Sequence, residues 1–401
     1  MKKIPLVILA AGSGTRLRPL TTTIPKPLIQ FLGKPVMQHS MEAALPYVSE
    51  FICIVGVHEE KIRAFFGDAF HGTPITYIVQ TEQSGTGHAL SLAASAISDD
   101  TFMSMYGDDV YPADFFEKVA QHDGYAIVGQ KKENWKSFGV LRAGTDGNLT
   151  EIVEKPSEFI SDLVNPGLYK LGTDIFSLYS SVSLSTRGEY ELTDLVSLFI
   201  KEHPVKVLEF KKGWYPLSYP WSLLDVVQEL TSEMKPYNKG TIEEGVIIRG
   251  TVVIGEGTVI KSGAYIEGNF YIGKNCIIGP NCYLKGFGSI GDECVIGNAV
   301  EVCRSVMGNG VNIRHLSYVG DSVIGNSVNL AAGTILASLR HDGKNVRVTV
   351  NGIRVDSGRQ KLGAIIGDNV KTGIHTSIMP GCKLEAGRVT LPAEVVREDK
   401  P

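Results

Sequence analysis

The sequence predicts two domains of different kinds: a doubly wound, mostly parallel α/β domain, then a left-handed parallel β-helix built of hexapeptide repeats. Three observations carry this. Strand-like and helix-like segments alternate up to about residue 216. Beyond residue 240 the apolar residues recur with a period of six. The 401 residues suffice for two or three domains of about 150 residues each.

In the first part, PLVILAA, FICIVGV, ITYIVQ, FMSMYGDD and YAIVGQ read as short buried strands. PVMQHSMEAALPYV, EEKIRAFFGDAF and ADFFEKVAQH read as the helices between them. Nearly continuous apolar strands separated by helices argue for a parallel sheet covered on both faces, with ligands beyond the carboxyl ends of its strands. WSLLDVVQELTSEM (221–234) has helical apolar spacing, and KPYNKG (235–240) reads as a linker.

After the linker, Ile242, Ile248, Ile254, Ile260, Ile266, Ile272, Ile278, Leu284, Ile290, Ile296 and Val302 fall every sixth residue. A mostly small set stands two positions earlier, from Val246 and Val252 to Cys294 and Val300. A three-sided coil with one aliphatic side chain pointing inward per side keeps such a repeat. The period slips around Gly308 and resumes at Ile366, Ile378 and Leu384. Cys276, Cys282, Cys294 and Cys382 share the small inward slot, and no zinc-type spacing accompanies them. Packing thiols of a reducing compartment are expected. Residues 337–361 interrupt the coil and carry Arg340, Lys344, Arg347, Arg354, Arg359 and Lys361 against only Asp342 and Asp356. A solvated loop is one reading, and a basic arm for ligand phosphates is the other.

Composition narrows the function classes. A net charge of −4 gives no global basic field for nucleic acid. No apolar run approaches the roughly 20 residues that span a bilayer. The opening MKKIPLVILAAG mimics a signal peptide, but cleavage there would destroy the glycine loop that follows. A buried first strand and a cytoplasmic location are expected.

The loop itself, LAAGSGTRLRPLTTTIPKPL (Leu9–Leu28), follows the first strand. It lacks the Gly-Lys-Ser/Thr of a P-loop, and Leu17 replaces the third glycine of a dinucleotide fingerprint. What remains is a set of glycine N–H groups with Arg16 and Lys26 ten residues apart, in a loop stiffened by Pro19, Pro25 and Pro27. Such a set can neutralise several phosphates at once.

The stretch Leu9–Lys26 resembles the signature of the sugar-1-phosphate nucleotidyltransferases at each defining position. QTEQSGTGHAL (80–90) resembles the base-binding segment of uridylyltransferases, and YGDD (106–109) the strand-end metal aspartate. FGVL, IVEKP and NPGLYKL resemble sugar-binding segments. The hexapeptide half, with RHLSYVGDSVIGNSVNLAAGT (314–334), resembles the acetyltransferase half of the bifunctional N-acetylglucosamine-1-phosphate uridyltransferase / glucosamine-1-phosphate N-acetyltransferase family, nearest its archaeal branch. The implied domains are a nucleotidyltransferase domain over 1–220, a linker helix and linker over 221–240, and an acyltransferase-like β-helix over 241–395.

The resemblance implies two reactions of UDP-N-acetylglucosamine synthesis. UTP and N-acetylglucosamine-1-phosphate would give the nucleotide sugar and pyrophosphate, and acetyl-CoA, as co-substrate, would acetylate glucosamine-1-phosphate. Arg16 and Lys26 would hold the triphosphate. The backbone of Leu9, Ala10, Ala11, Gly12 and Gly14, with Gln80, Gly85 and Thr86, would bind the nucleotide. Gly139, Glu154, Lys155 and Asn165 would bind the sugar phosphate, and Asp108 would hold Mg²⁺. Asp109 is a candidate second carboxylate. In the other half His315 would be the general base, with Lys285, Tyr318 and Asn329 around it. A homotrimer or dimer of trimers is implied, with no nucleic-acid or membrane partner.

The chain departs from the family pattern at named places. Pro216 stands where relatives carry a second metal aspartate. Lys285 replaces an arginine, which loses bidentate geometry. Cys303 replaces a lysine, with Arg304 beside it as a candidate substitute, and Ser338 replaces an asparagine. Two other readings therefore stand beside the bifunctional one. One is a single-activity uridylyl-, thymidylyl- or guanylyltransferase with a structural β-helix. The other is a non-catalytic regulatory subunit.

Overall fold

The computed structural model describes residues 2–401. By packing it divides into two units. Residues up to Ser13, Lys26–Leu28 and Val36–Pro216 form the first, and Gly14–Pro25, Ile29–Pro35 and Leu217–Pro401 the second.

The first unit is built around an 11-stranded sheet. Its parallel centre comprises β1 (Ile4–Ala10), β2 (Val48–Val55), β3 (Thr73–Val79) and β4 (Thr101–Tyr106) in the order β3-β2-β1-β4. Helices α1 (Val36–Ala44), α2 (Glu59–Phe66) and α3 (Thr86–Ser91) fall between these strands in the chain, and α4 (Ala113–Gln121) follows β4. The side chains of β1 alternate between two cores. Leu6 and Ile8 join Met41, Phe66 and Phe115 on one face, and Val7 and Leu9 join Leu90, Val196 and Phe199 on the other. A strand buried on both faces needs the unbroken apolar run that the sequence shows.

The remaining strands are the two-residue Ala69–Phe70, antiparallel to β3, and β5 (Tyr125–Lys131), β6 (Gly139–Ala143), β7 (Leu149–Glu154), β8 (Leu163–Val164), β9 (Tyr169–Gly172) and β10 (Val205–Phe210). β9 pairs antiparallel with both β4 and β5, β6 pairs antiparallel with β7 and β8, and β10 lies parallel to β5. The parallel character is thus concentrated at the centre, where β1 leads to β2 on one side and has β4 on the other. That is the topological switch point, where open α/β sheets bind ligands.

The second unit is a parallel β-helix. Ile242–Ile260–Ile278–Ile296 and Ile266–Leu284–Val302 are inward ladders of paired strands, 18 residues per coil. From Ile254 onward the inward residues form one continuous buried core. Ile242, on the first rung, is 41% exposed because no coil lies beneath it. The period slips earlier than Gly308. Lys285 pairs with Cys303, but Gly288 pairs with Ser305, so Arg304 alone stands opposite Gly286 and Phe287. Arg304 turns this shortened corner with φ +41°, and Asp321 repeats it one coil on with φ +48°.

Other expectations shift as well. The KPYNKG linker already contains the first rung, because Tyr237–Asn238 pairs with Val253–Ile254. The expected linker helix, α6 (Ser222–Ser232), is part of the second unit and packs on the strands 265–272, 283–290 and 301–307. By packing, the division falls at Pro216/Leu217, and the stretch Gly14–Pro25 of the glycine loop groups with the β-helix. Within 337–361 the strands Arg347–Val350 and Ile353–Asp356 form a hairpin. Its turn is Asn351-Gly352, both at positive φ, the pair that a tight type I′ turn requires. All six cysteines are buried and free. No helix among the described residues is long and apolar enough to cross a membrane.

Candidate active sites

At the switch point, Gly107 N–H donates to Leu9 C=O across 2.9 Å and ties the end of β1 to the turn after β4. A Cβ on Gly107 would stand 2.8 Å from Ile8 and 2.9 Å from Ala10, so only glycine lets the two strand ends close up. Asp108 follows in that turn and pairs with the Lys26 ammonium. The Lys26 side chain is 10% exposed and that of Asp108 30%, so the pair sits at the mouth of the crevice with the carboxylate outermost.

Asp109 does not join them as a second carboxylate. It is buried, and its Oδ2 accepts from the Trp214 indole at 2.9 Å. Its carbonyl accepts from Ser40 Oγ, also at 2.9 Å. Its backbone pairs with Pro216 in a two-stranded ladder, Asp109–Val110 with Tyr215–Pro216. The Pro216 stretch thus lies beside the metal-aspartate turn, but a proline ring stands where a carboxylate would. Among the described residues, no group of three or more His, Cys, Asp or Glu is placed to hold a metal.

The nucleotide-binding candidates other than Gly14 belong to the first unit. Gln83 Nε2 donates to Ala11 C=O across 3.0 Å. Gln80 Nε2 donates to Gly85 C=O across 3.2 Å. Thr86 Oγ1 accepts Leu192 N–H at 3.1 Å, so its hydroxyl holds the start of α5 (Leu192–Phe199). Ala10 is buried in the sheet, whereas Gly12 is exposed. Gly14 and Arg16 belong to the stretch that packs in the second unit. There the Arg16 guanidinium lies 5.8 Å from the Tyr219 ring centroid, and Thr22 and Thr23 donate to Glu385 and Asp368.

The sugar-binding candidates also meet. Gly139 pairs with Glu154 across β6 and β7, and Asn165 N–H donates to Gly139 C=O at 2.8 Å. A Cβ on Gly139 would stand 3.0 Å from Glu154 Oε2 and 3.5 Å from Asn165 Cβ, so the glycine keeps this corner open. Asn165 accepts Gly167 N–H and donates to the Tyr169 hydroxyl. Burial raises the Glu154 carboxyl above the usual range, against the opposing pull of Lys155 and Arg187, each 3.6 Å away. Arg187 and its buried partner Glu191 were not singled out from sequence, nor was Trp214. Arg187 and Glu191 pair with each other locally, but the contacts of Arg187 with Glu154 and of Trp214 with Asp109 span distant parts of the chain, so no local spacing marks their place in the site.

On the β-helix, His315 and Tyr318 flank a corner at Leu316, whose φ is +47°. His315 is exposed, and Asn329 lies one coil on, on the strand paired with Asn312. Tyr318 packs over Gly320, where a Cβ would stand 2.5 Å from the phenol oxygen, and Ser338 reaches the same hydroxyl. Lys285, Cys303 and Gly320 form one ladder on this face. The Cys303 thiol contacts Glu301 Oε1 at 3.3 Å, and burial pushes it up to about 11, so it is uncharged near neutrality. In the inserted segment, Arg340, Lys344 and Arg347 line a concavity with Asp342 and Asp356.

Comparison with known proteins decides the family. The nucleotidyl transferase family profile matches residues 6–233, and that of the GMPPB C-terminal domain matches 266–359. A bifunctional sugar-1-phosphate nucleotidylyltransferase/acetyltransferase of Sulfurisphaera tokodaii is 41% identical over 98% of this chain and 97% of its own length. The chain belongs to this bifunctional family. A relative named bifunctional protein GlmU, from Methanocaldococcus jannaschii, is 42% identical and covers 94% of the chain and 91% of its own length. A solved UDP-glucose pyrophosphorylase in complex with UDP-glucose, 21% identical, matches with a TM-score of 0.53. It covers 58% of this chain and 100% of its own, and shows the fold alone. Both halves of the family architecture are therefore present.

Proposed function

We propose that this chain carries out both reactions that close UDP-N-acetylglucosamine synthesis. One is uridylyl transfer from UTP to N-acetylglucosamine-1-phosphate, and the other is acetyl transfer from acetyl-CoA to glucosamine-1-phosphate. The observation that carries the reading is the Lys26–Asp108 pair at the switch point, in a chain that also bears the His315 segment on a β-helix.

In the first reaction a phosphate oxygen of the sugar phosphate attacks the α-phosphorus of UTP, and the bond to the β-phosphate breaks to release pyrophosphate. No covalent intermediate is needed, so positioning and charge neutralisation supply the rate. Lys26 neutralises the triphosphate. Gln80, with Gly85, Thr86 and the backbone of Leu9–Gly12, holds the base. Gly139, Glu154 and Asn165 hold the sugar, with Lys155 toward its phosphate. Asp108 fits Mg²⁺: it is a half-exposed carboxylate, and this ion takes one or two carboxylates and completes its shell with phosphates and water. Held there, the ion would offset charge on the phosphates.

In the second reaction the amine attacks the thioester carbonyl, His315 takes the amine proton, and CoA leaves as the thiol. Tyr318, Asn329 and Lys285 position the sugar phosphate, and the basic concavity of Arg340, Lys344 and Arg347 suits phosphates of CoA.

We also propose a homotrimer or a dimer of trimers. One outward face of the coil is covered within the chain, where Ser289, Val306 and Val323 are buried. The other two expose stacked side chains such as Val259–Ile277–Val295 and Ile247–Tyr265–Tyr283. Light scattering at micromolar concentration should give a multiple of three, and a monomer would contradict it.

The two-site reading is tested by His315→Ala. It should cost about two to four decades in kcat of acetyl transfer and leave uridylyl transfer intact. Equal loss of both activities in folded protein would overturn the assignment.

A further inference from the structure

Gln80 is buried just beyond β3, and the donor end of its amide faces inward. Nε2 donates to Gly85 C=O at 3.2 Å and meets His88 Nδ1 at 3.1 Å. A carbonyl only accepts, so Gly85 fixes which end of the amide points to it. The Gly85 backbone needs glycine, because φ is +107° and a Cβ would stand 2.5 Å from Tyr190 C=O. The His88 ring stacks on Tyr179, with centroids 6.2 Å apart and planes at 26°. For Nδ1 to accept, the ring must carry its proton on Nε2. No donor among the described residues is bonded to Gln80 Oε1. The amide thus offers an incoming ligand an acceptor and not a donor.

We infer that His88 is a positioning residue that locks Gln80 with its carbonyl outward, so that the nucleotide site selects a pyrimidine bearing hydrogen on N3. Uracil and thymine present that N–H. Cytosine presents a bare N3 lone pair, which would face Gln80 Oε1 acceptor to acceptor. Rotating the amide to suit cytosine would break the bond to Gly85 and the contact with His88 together. The 5-methyl group is not part of this edge, so the lock does not separate thymine from uracil. The inference rests on the proposed role of Gln80 in holding the base.

The test compares UTP, dTTP and CTP at a fixed concentration of N-acetylglucosamine-1-phosphate, in the full chain and in His88→Leu, His88→Gln and Gln80→Ala. His88→Leu should lower the UTP/CTP ratio of kcat/KM about tenfold, mainly through the KM for UTP. Its kcat at saturating UTP should stay within about threefold, and the UTP/dTTP ratio should not move. His88→Gln returns a side-chain acceptor and should recover part of the ratio. An unchanged UTP/CTP ratio in folded His88→Leu overturns the lock. Should that variant not fold, the ratio in His88→Phe, which keeps a ring against Tyr179 but has no acceptor, decides in the same way. If Gln80→Ala leaves the KM for UTP unchanged, the base-holding role itself fails and the lock with it. A raised KM in Gln80→Ala beside an unchanged ratio in His88→Leu removes the lock alone.

Discussion

Arg304 and Asp321 stand at the two shortened corners of the β-helix and close a two-toothed ion pair, Nε to Oδ1 at 2.6 Å and a terminal nitrogen to Oδ2 at 2.8 Å. Asp321 is almost fully buried, so the guanidinium is committed to it. Arg304 therefore does not replace the lysine that relatives carry at the position of Cys303.

Two outcomes follow for this corner. Arg304→Ala leaves a buried carboxylate without its partner, which costs about 3–5 kcal/mol and should be read as a large fall in the melting temperature. Cys303→Lys restores a cation on the face of Lys285 and Tyr318 and should lower the KM for glucosamine-1-phosphate, with kcat little changed. A KM no lower than that of the parent would show that the sugar phosphate does not bind on this face.

Lys26→Ala removes the cation paired with Asp108. Nucleotidyl transfer should fall by at least two decades, on the order of 3 kcal/mol in the barrier. Acetyl transfer, measured as thiol release from acetyl-CoA, should be unchanged.

Pro216 pairs with Asp109, the residue next to Asp108. Pro216→Asp adds a carboxylate beside a site that otherwise offers one. A Mg²⁺ titration of nucleotidyl transfer should then reach half-maximal rate at a lower concentration than in the parent. An identical titration would show that residue 216 does not face the ion.

Much of this was legible in the sequence because it is local or periodic. The first strand, its glycine loop and the six-residue ladders are short-range patterns, and the structure keeps each of them. The arrangement of Glu154 was not legible. Its neighbours Arg187 and Glu191 come from a loop more than thirty residues away and meet it only through folding. Asp109 misled for a related reason. Two adjacent aspartates look equivalent in sequence, but Asp108 stands in the turn and pairs with Lys26, whereas Asp109 begins a short strand and is captured by Trp214. The corner at Arg304 escaped because the loss of a single residue moves the apparent slip to the next visible repeat position.

Glu154 itself gives a pH prediction. Burial holds its proton to higher pH in the fold than in the unfolded chain. Its contribution to stability is therefore complete below the unfolded pKa and declines as pH rises through the higher folded value. Unfolding free energies measured from about pH 4 to about pH 7 should show that decline, and Glu154→Gln should lack it. Identical pH slopes in the two proteins would contradict the assignment.

The central claim is that one chain performs both reactions. The most direct measurement incubates the purified protein with glucosamine-1-phosphate, acetyl-CoA, UTP and Mg²⁺ and resolves the nucleotide products by mass spectrometry. Two active sites predict UDP-N-acetylglucosamine, with one pyrophosphate and at least one CoA released for each molecule formed. UDP-glucosamine with no CoA released, or no nucleotide sugar at all, would contradict it.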